Sequence, residues 1–80
     1  MWTVNANGYV KPETFISEES ARTEIDKIFE IDRKEAAIQG DWSGIECDHV
    51  TLSKNDEVVA ISGLIEVENG FDIYMKPLPA

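Results

Sequence analysis

The chain has 80 residues, with 16 Asp and Glu against 7 Lys and Arg, for a formal charge of −9. That length holds one small domain, and a hydrophobic content of 42% excludes wholesale disorder. A domain of this size buries only about 60 to 65% of the surface of its extended chain, which leaves little room for an enclosed active site.

The acidic balance also argues against direct nucleic-acid binding and against docking on anionic membranes, because both depend on Lys and Arg. Charged partners are therefore expected to be basic. The single cysteine, Cys47, rules out an intramolecular disulfide and fits a reducing compartment. Met1 to Gly8 carries neither the basic start nor the apolar run of a signal peptide, and no apolar segment approaches the roughly 18 residues of a membrane span. The expectation is a cytoplasmic protein.

In chain order, Trp2 and Val4 alternate weakly, Asn7-Gly8 supplies a turn, and Tyr9-Val10 resumes before Pro12. This reads as a short hairpin, with a single edge strand as the alternative. Ser17 is placed to cap a helix whose first turn holds Glu18 and Glu19, where the macrodipole favours carboxylates. A step of 100° per residue gathers Ala21, Ile25, Ile28, Phe29 and Ala36 into one apolar arc, with Ile31 and Ile38 on its flank. The opposite face mixes Glu19, Asp26, Lys27, Glu30, Arg33 and Lys34, in which Glu30 and Lys34 have the favourable i, i+4 order. Gly40 supplies the stop. Asp32 falls inside the apolar arc. Either the helix breaks there and restarts on an Asp32-Arg33-Lys34-Glu35 capping box, or it continues on good helix formers. Continuity is favoured.

Residues 45 to 76 read as a three-stranded meander. A two-residue Asn55-Asp56 turn pairs Leu52 with Val59 and Val50 with Ile61. A three-residue Glu68-Asn69-Gly70 loop, with Gly70 in the left-handed region, pairs Val67 with Phe71, Ile65 with Ile73 and Gly63 with Met75. The predicted core face is Val50, Leu52, Val59, Ile61, Ile65, Val67, Phe71, Ile73 and Met75, covered by the helix in a two-layer α+β domain. The reverse face then carries Ile45, Cys47, His49, Thr51, Val58, Ala60, Ser62, Leu64, Glu66, Asp72, Tyr74 and Lys76. It is half apolar, so either Trp2 covers part of it or it is an interface.

Chemistry-bearing residues are sparse. Cys47 and His49 share one side of a strand, but such neighbours are about 6.5 to 7 Å apart and no third group orients the imidazole, so a catalytic pair is not expected. Two candidate ligands do not make a zinc site, no calcium-loop spacing is present, and no cofactor motif appears. No enzymatic activity is expected. Binding residues are more plausible. Asp41, Glu46, Asp48, Asp56 and Glu57 face only Lys54 in their segment, and residues 41 to 80 hold 8 acidic against 2 basic side chains. In the predicted register Glu66 and Asp72 oppose each other, a like-charge pairing that a basic partner would relieve, with Leu64 and Tyr74 as apolar anchors beside them and Glu68 in the turn. Trp42, flanked by Gly40 and Gly44, is either a lid over the core or an exposed anchor.

A very small, acidic α+β chain of one helix on a short antiparallel sheet, without catalytic chemistry, resembles the small phage-encoded inhibitors of bacterial defence, anti-CRISPR proteins in particular. The resemblance is one of kind and transfers no residue. It implies stoichiometric binding to a nucleic-acid-handling protein or ribonucleoprotein complex, with carboxylates acting as a DNA mimic on a basic surface. The competing class is a structural or adaptor domain, a homodimer formed through the reverse face of its sheet.

Overall fold

The computed structural model describes residues 1–79 and is of the α+β class, with one helix packed on a five-stranded antiparallel sheet. Its elements are β1 (Trp2–Asn5), β2 (Glu13–Phe15), α1 (Glu18–Gln39), β3 (Thr51–Lys54), β4 (Glu57–Val67) and β5 (Gly70–Pro77). The strand order is β2-β1-β3-β4-β5, so the two N-terminal strands extend the predicted meander to five strands rather than covering its back. The first hairpin is wider than Asn7-Gly8 alone would make it: β1 pairs with β2 through Trp2↔Phe15 and Val4↔Glu13, and Val10 lies exposed in the connection.

Helix α1 is continuous through Asp32. Ser17 Oγ accepts the Ser20 N–H at 3.1 Å, and Gly40, at φ 86°, ends the helix with its N–H on the Ala36 carbonyl. At 1.5 Å per residue its 22 residues run about 33 Å, close to the 37 Å long axis of the molecule. Ala21, Ile25, Phe29, Asp32 and Ala36 are buried, whereas Ile31 and Ile38, placed on the flank of the apolar arc, are left exposed. Arg33 rather than Lys34 takes Glu30, at 2.8 Å.

The core joins Ala21, Ile25 and Phe29 to Val4, Ala6, Val50, Leu52, Ala60 and Ile73. Trp2 packs against it from the helix side, with the Lys54 ammonium 5.4 Å from its ring centre, so the reverse face of the sheet is not covered by Trp2.

The meander departs from prediction in one decisive place. The Asn55-Asp56 turn is present, with φ of 51° and 70°, and it pairs Lys54 with Glu57 and Ser53 with Val58 as expected. A β-bulge then shifts the register between Leu52 and Ser53, so that Leu52 pairs with Ala60 and Thr51 with Ile61. One extra residue on β4 reverses every side chain beyond it. Ala60 and Ser62 therefore face the core, and Ile61, Ile65 and Val67 face away. The last hairpin follows: Val67 pairs with Gly70, Glu66 with Phe71, Ile65 with Asp72, Leu64 with Ile73 and Gly63 with Tyr74. The loop is Glu68-Asn69, not the three-residue loop ending in Gly70. Glu66 and Asp72 lie on opposite faces, and the like-charge pair expected between them does not form. Strand β3 also starts only at Thr51, so Ile45, Cys47 and His49 lie in the irregular segment before it rather than on its outer face.

Both residues of the β3–β4 turn hold positive φ without being glycine. Asp56→Gly is expected to raise stability by about 0.5 to 1 kcal/mol, because a Cβ is strained there. Urea denaturation measures it, and a loss of stability would contradict the turn geometry.

Candidate functional site

The left-handed Gly40 reverses the chain after α1 and brings Trp42 back to β5, where its indole N–H donates to the Phe71 carbonyl at 3.0 Å. Asp41 holds the intervening turn, its Oδ1 accepting from the Ser43 N–H and hydroxyl. Between this loop, the last turns of α1 and the tip of the β4–β5 hairpin lies a groove of about 510 Å³, lined in part by Ala36, Ala37, Trp42, Val67 and Phe71. Strand β4 outruns the helix at this end, which leaves Phe71 53% and Val67 44% exposed.

Charge around the groove is set by Arg33. Its guanidinium donates to Asp72 Oδ1 at 2.9 Å and to Glu30 Oε1 at 2.8 Å, so one cation is shared by two carboxylates. Asp72 Oδ1 also accepts the Ile73 N–H at 2.8 Å. The hydrogen bond from Arg33 holds the Asp72 carboxyl below its ordinary range, against the opposing effect of partial burial. Asp41, Glu66 and Glu68 make no salt bridge among the described residues.

The predicted binding residues are thus divided. Asp41, Trp42 and Asp72 meet in the groove, and Glu66 and Glu68 stand on the hairpin beside it. Asp56 and Glu57 lie at the far end of β4, an 11-residue strand about 33 Å long. Leu64 is exposed opposite Ile73, and Tyr74 sits half-buried opposite Gly63 on the outer face. Glu46 accepts a hydrogen bond from the Asn7 amide, and Asp48 is exposed in a turn. Arg33, Val67 and Phe71 were not among the predicted binding residues. Val67 and Phe71 both read as core in the sequence: Val67 is turned to the other face by the bulge, whereas Phe71 keeps its predicted face beside Ile73 and is exposed because the hairpin runs past the helix.

Asp32 has its explanation on the same helix. His49 turns inward, and its Nε2 lies 2.9 Å from Asp32 Oδ2, with the two side chains 9% and 11% exposed. The carboxylate is an acceptor, so Nε2 carries the hydrogen; Nδ1 is buried with no partner. Cys47 is not paired with His49: its thiol donates to the Ile45 carbonyl at 3.3 Å. Burial, then the nearby charges of Asp32 and Asp48, push the thiol's pKa upward, which disfavours a nucleophilic thiolate. No group of three metal-ligating side chains occurs among the described residues, and no helix there is long and apolar enough to cross a membrane. Comparison with protein families, curated proteins and solved structures gives no match.

Removing one partner of a buried pair leaves the other without compensation. Asp32→Ala is expected to cost about 2 to 3 kcal/mol in urea denaturation, and a double-mutant cycle with His49→Ala should give a coupling of about 1 kcal/mol or more. Strict additivity would show that the pair contributes nothing of its own. Asp72 predicts a pH effect of definite sign. Its depressed native pKa adds stability above the ordinary Asp value of about 4, and that stability is lost as pH falls from there through the lower native value. Asp72→Asn should flatten the acid side of the stability curve, and an unchanged acid limb would count against the Arg33 contact.

Proposed function

We propose that this protein is a non-catalytic binding protein that occupies a basic, nucleic-acid-facing surface of a partner complex, in the manner of the anti-CRISPR-type inhibitors it resembles. The observation that carries this reading is the groove at the end of α1. Exposed Phe71 and Val67 stand there beside Asp41, Glu66 and Glu68, while Arg33, the one cation that lines the groove among the described residues, is shared between Glu30 and Asp72. Apolar side chains supply burial and the carboxylates take the place of phosphates against Lys and Arg. Acidic charge steers the encounter and the aromatic anchors slow dissociation. The far acidic turn at Asp56-Glu57 is too distant to join the same contact and contributes to steering only.

The test is displacement of labelled target DNA from purified CRISPR effector complexes. The protein is expected to displace DNA at near-equimolar ratio, with an apparent affinity that falls steeply with salt. Asp41→Lys combined with Glu68→Lys should weaken displacement at least tenfold at low salt, and Phe71→Ala should weaken it at all salt concentrations. DNA binding that is indifferent to excess protein, or Lys variants as effective as the wild type, would overturn the proposal.

A further inference from the structure

Every asparagine of the chain but one has its side chain held. Asn5 Oδ1 accepts the Ala6 N–H at 3.0 Å, the Asn7 amide donates to the Glu46 carboxylate, and Asn55 Oδ1 accepts from the Met1 amino group at 2.8 Å. Asn69 makes no side-chain hydrogen bond among the described residues. It stands exposed in the two-residue turn between β4 and β5, with Gly70 after it.

The following residue decides what an unrestrained asparagine side chain can do. Its Cγ is an electrophile that the next backbone nitrogen can reach by closing a five-membered ring, and a side chain on that next residue hinders the closure. Ala6 and Asp56 carry one, whereas Gly70 does not, and no atom lies within 4 Å of where its Cβ would stand. Gly70 is also opposite Val67 in the end pair of the β4–β5 ladder, where local opening costs least.

Gly8 offers Asn7 the same open neighbour, so the sequence alone makes the two Asn-Gly pairs equivalent. The structure separates them. Asn7 and Gly8 are the centre of a turn closed by the Tyr9 N–H on the Ala6 carbonyl at 3.2 Å, and the Tyr9 hydroxyl donates to Glu24 of α1 at 2.7 Å. The Asn7 amide nitrogen, the group that would have to leave, is the one held by Glu46.

We infer that Asn69-Gly70 is a site of spontaneous deamidation, and that the fold protects Asn7-Gly8 from the same reaction. The Gly70 amide gives its proton to hydroxide and its nitrogen bonds to Asn69 Cγ. The Cγ–Nδ2 bond then breaks, and ammonia leaves with a proton from water, which returns the hydroxide. A second water opens the succinimide at either carbonyl, to aspartate or to isoaspartate, with no oxidation or reduction. Both products put a carboxylate at position 69, on the wall of the groove, and isoaspartate also adds one carbon to the backbone before Gly70. The chemistry does not depend on what the groove binds.

Peptide mass spectrometry after incubation of the native protein in warm, mildly alkaline buffer tests this. Trypsin leaves the Lys11–Pro12 bond intact, so Asn5 and Asn7 fall on the peptide ending at Arg22, and Asn55 and Asn69 on the one beginning at Asn55. The second peptide is expected to gain about one dalton and to split into aspartate and isoaspartate forms. The first should react at a rate about tenfold lower. In denaturing urea, where the two pairs lose their surroundings, both peptides should react at comparable rates. Asn69→Gln should abolish the gain in the second peptide. An Asn69 that stays intact in the native protein, native rates that are equal at Asn7 and Asn69, or a gain that survives Asn69→Gln would each overturn the assignment.

Discussion

Which side of β4 faces the core is decided by one inserted residue. Up to Ser53↔Val58 the β3–β4 pair follows the register of its turn; past the bulge Leu52 sits against Ala60, and the alternation of an 11-residue strand is reversed. Two small residues, Ala60 and Ser62, enter the interior as a result, while Ile61 and Ile65 leave it. The parity of β5 is then determined, since its core residues Ile73 and Met75 must share a face with even-numbered positions of β4. The backbone around the bulge is not left without partners: the Val59 carbonyl accepts the Leu78 N–H at 3.0 Å, so the residues beyond β5 satisfy the group that the irregularity frees.

The inward Ser62 gives the bulge a second consequence. Its hydroxyl donates to the Cys47 carbonyl at 2.7 Å and accepts the Val50 N–H at 3.0 Å, which ties the segment before β3 to the sheet. From the helix, Asp32 holds His49 of the same segment. A stretch without regular structure is thus fixed between two polar contacts, one from each layer. Valine at position 62 would pack but would leave a backbone N–H and a carbonyl unpaired. The same logic accounts for a carboxylate in the apolar arc of α1: it faces inward because the segment opposite supplies a hydrogen-bond donor.

Local signals in the sequence were readable wherever they act within a few residues. Ser17 as a cap, Gly40 as a stop, the apolar arc of α1 and the Asn55-Asp56 turn all depend on neighbours along the chain, and each is present in the structure. Continuity through Asp32 follows from helix propensity, although its partner His49 cannot be inferred from a pattern that reads residues 45 to 50 as strand. The bulge had no such signal. Its flanks, Ser53, Val58 and Val59, are ordinary strand residues, and assigning the apolar residues of β4 to the core produced a self-consistent register with the wrong face inside. Of the candidate site, Asp41, Trp42 and Asp72 were brought together by the fold. The anchor Phe71 lies on its predicted face, with Ile73, but beyond the reach of the helix that would have buried it, and no local signal marks where that cover ends.

The surfaces that remain for partners follow from how the sheet edge is treated. Alternate residues of an antiparallel edge strand turn their N–H and C=O groups outward, where another strand can add. In β5 the outward Phe71 carbonyl is taken by the Trp42 indole, the outward Ile73 N–H by the carboxylate of Asp72, and Pro77 has no N–H to offer. At these positions the outward groups of β5 are already occupied, so a partner meets this end of the edge through side chains. The contacts that occupy them also shape the groove, because Trp42 and Asp72 form its wall while they cap the strand. Protection of the edge and presentation of a mixed apolar and acidic surface are therefore a single arrangement, in which substitution of Trp42 exposes a pairing edge at the same time as it removes an anchor.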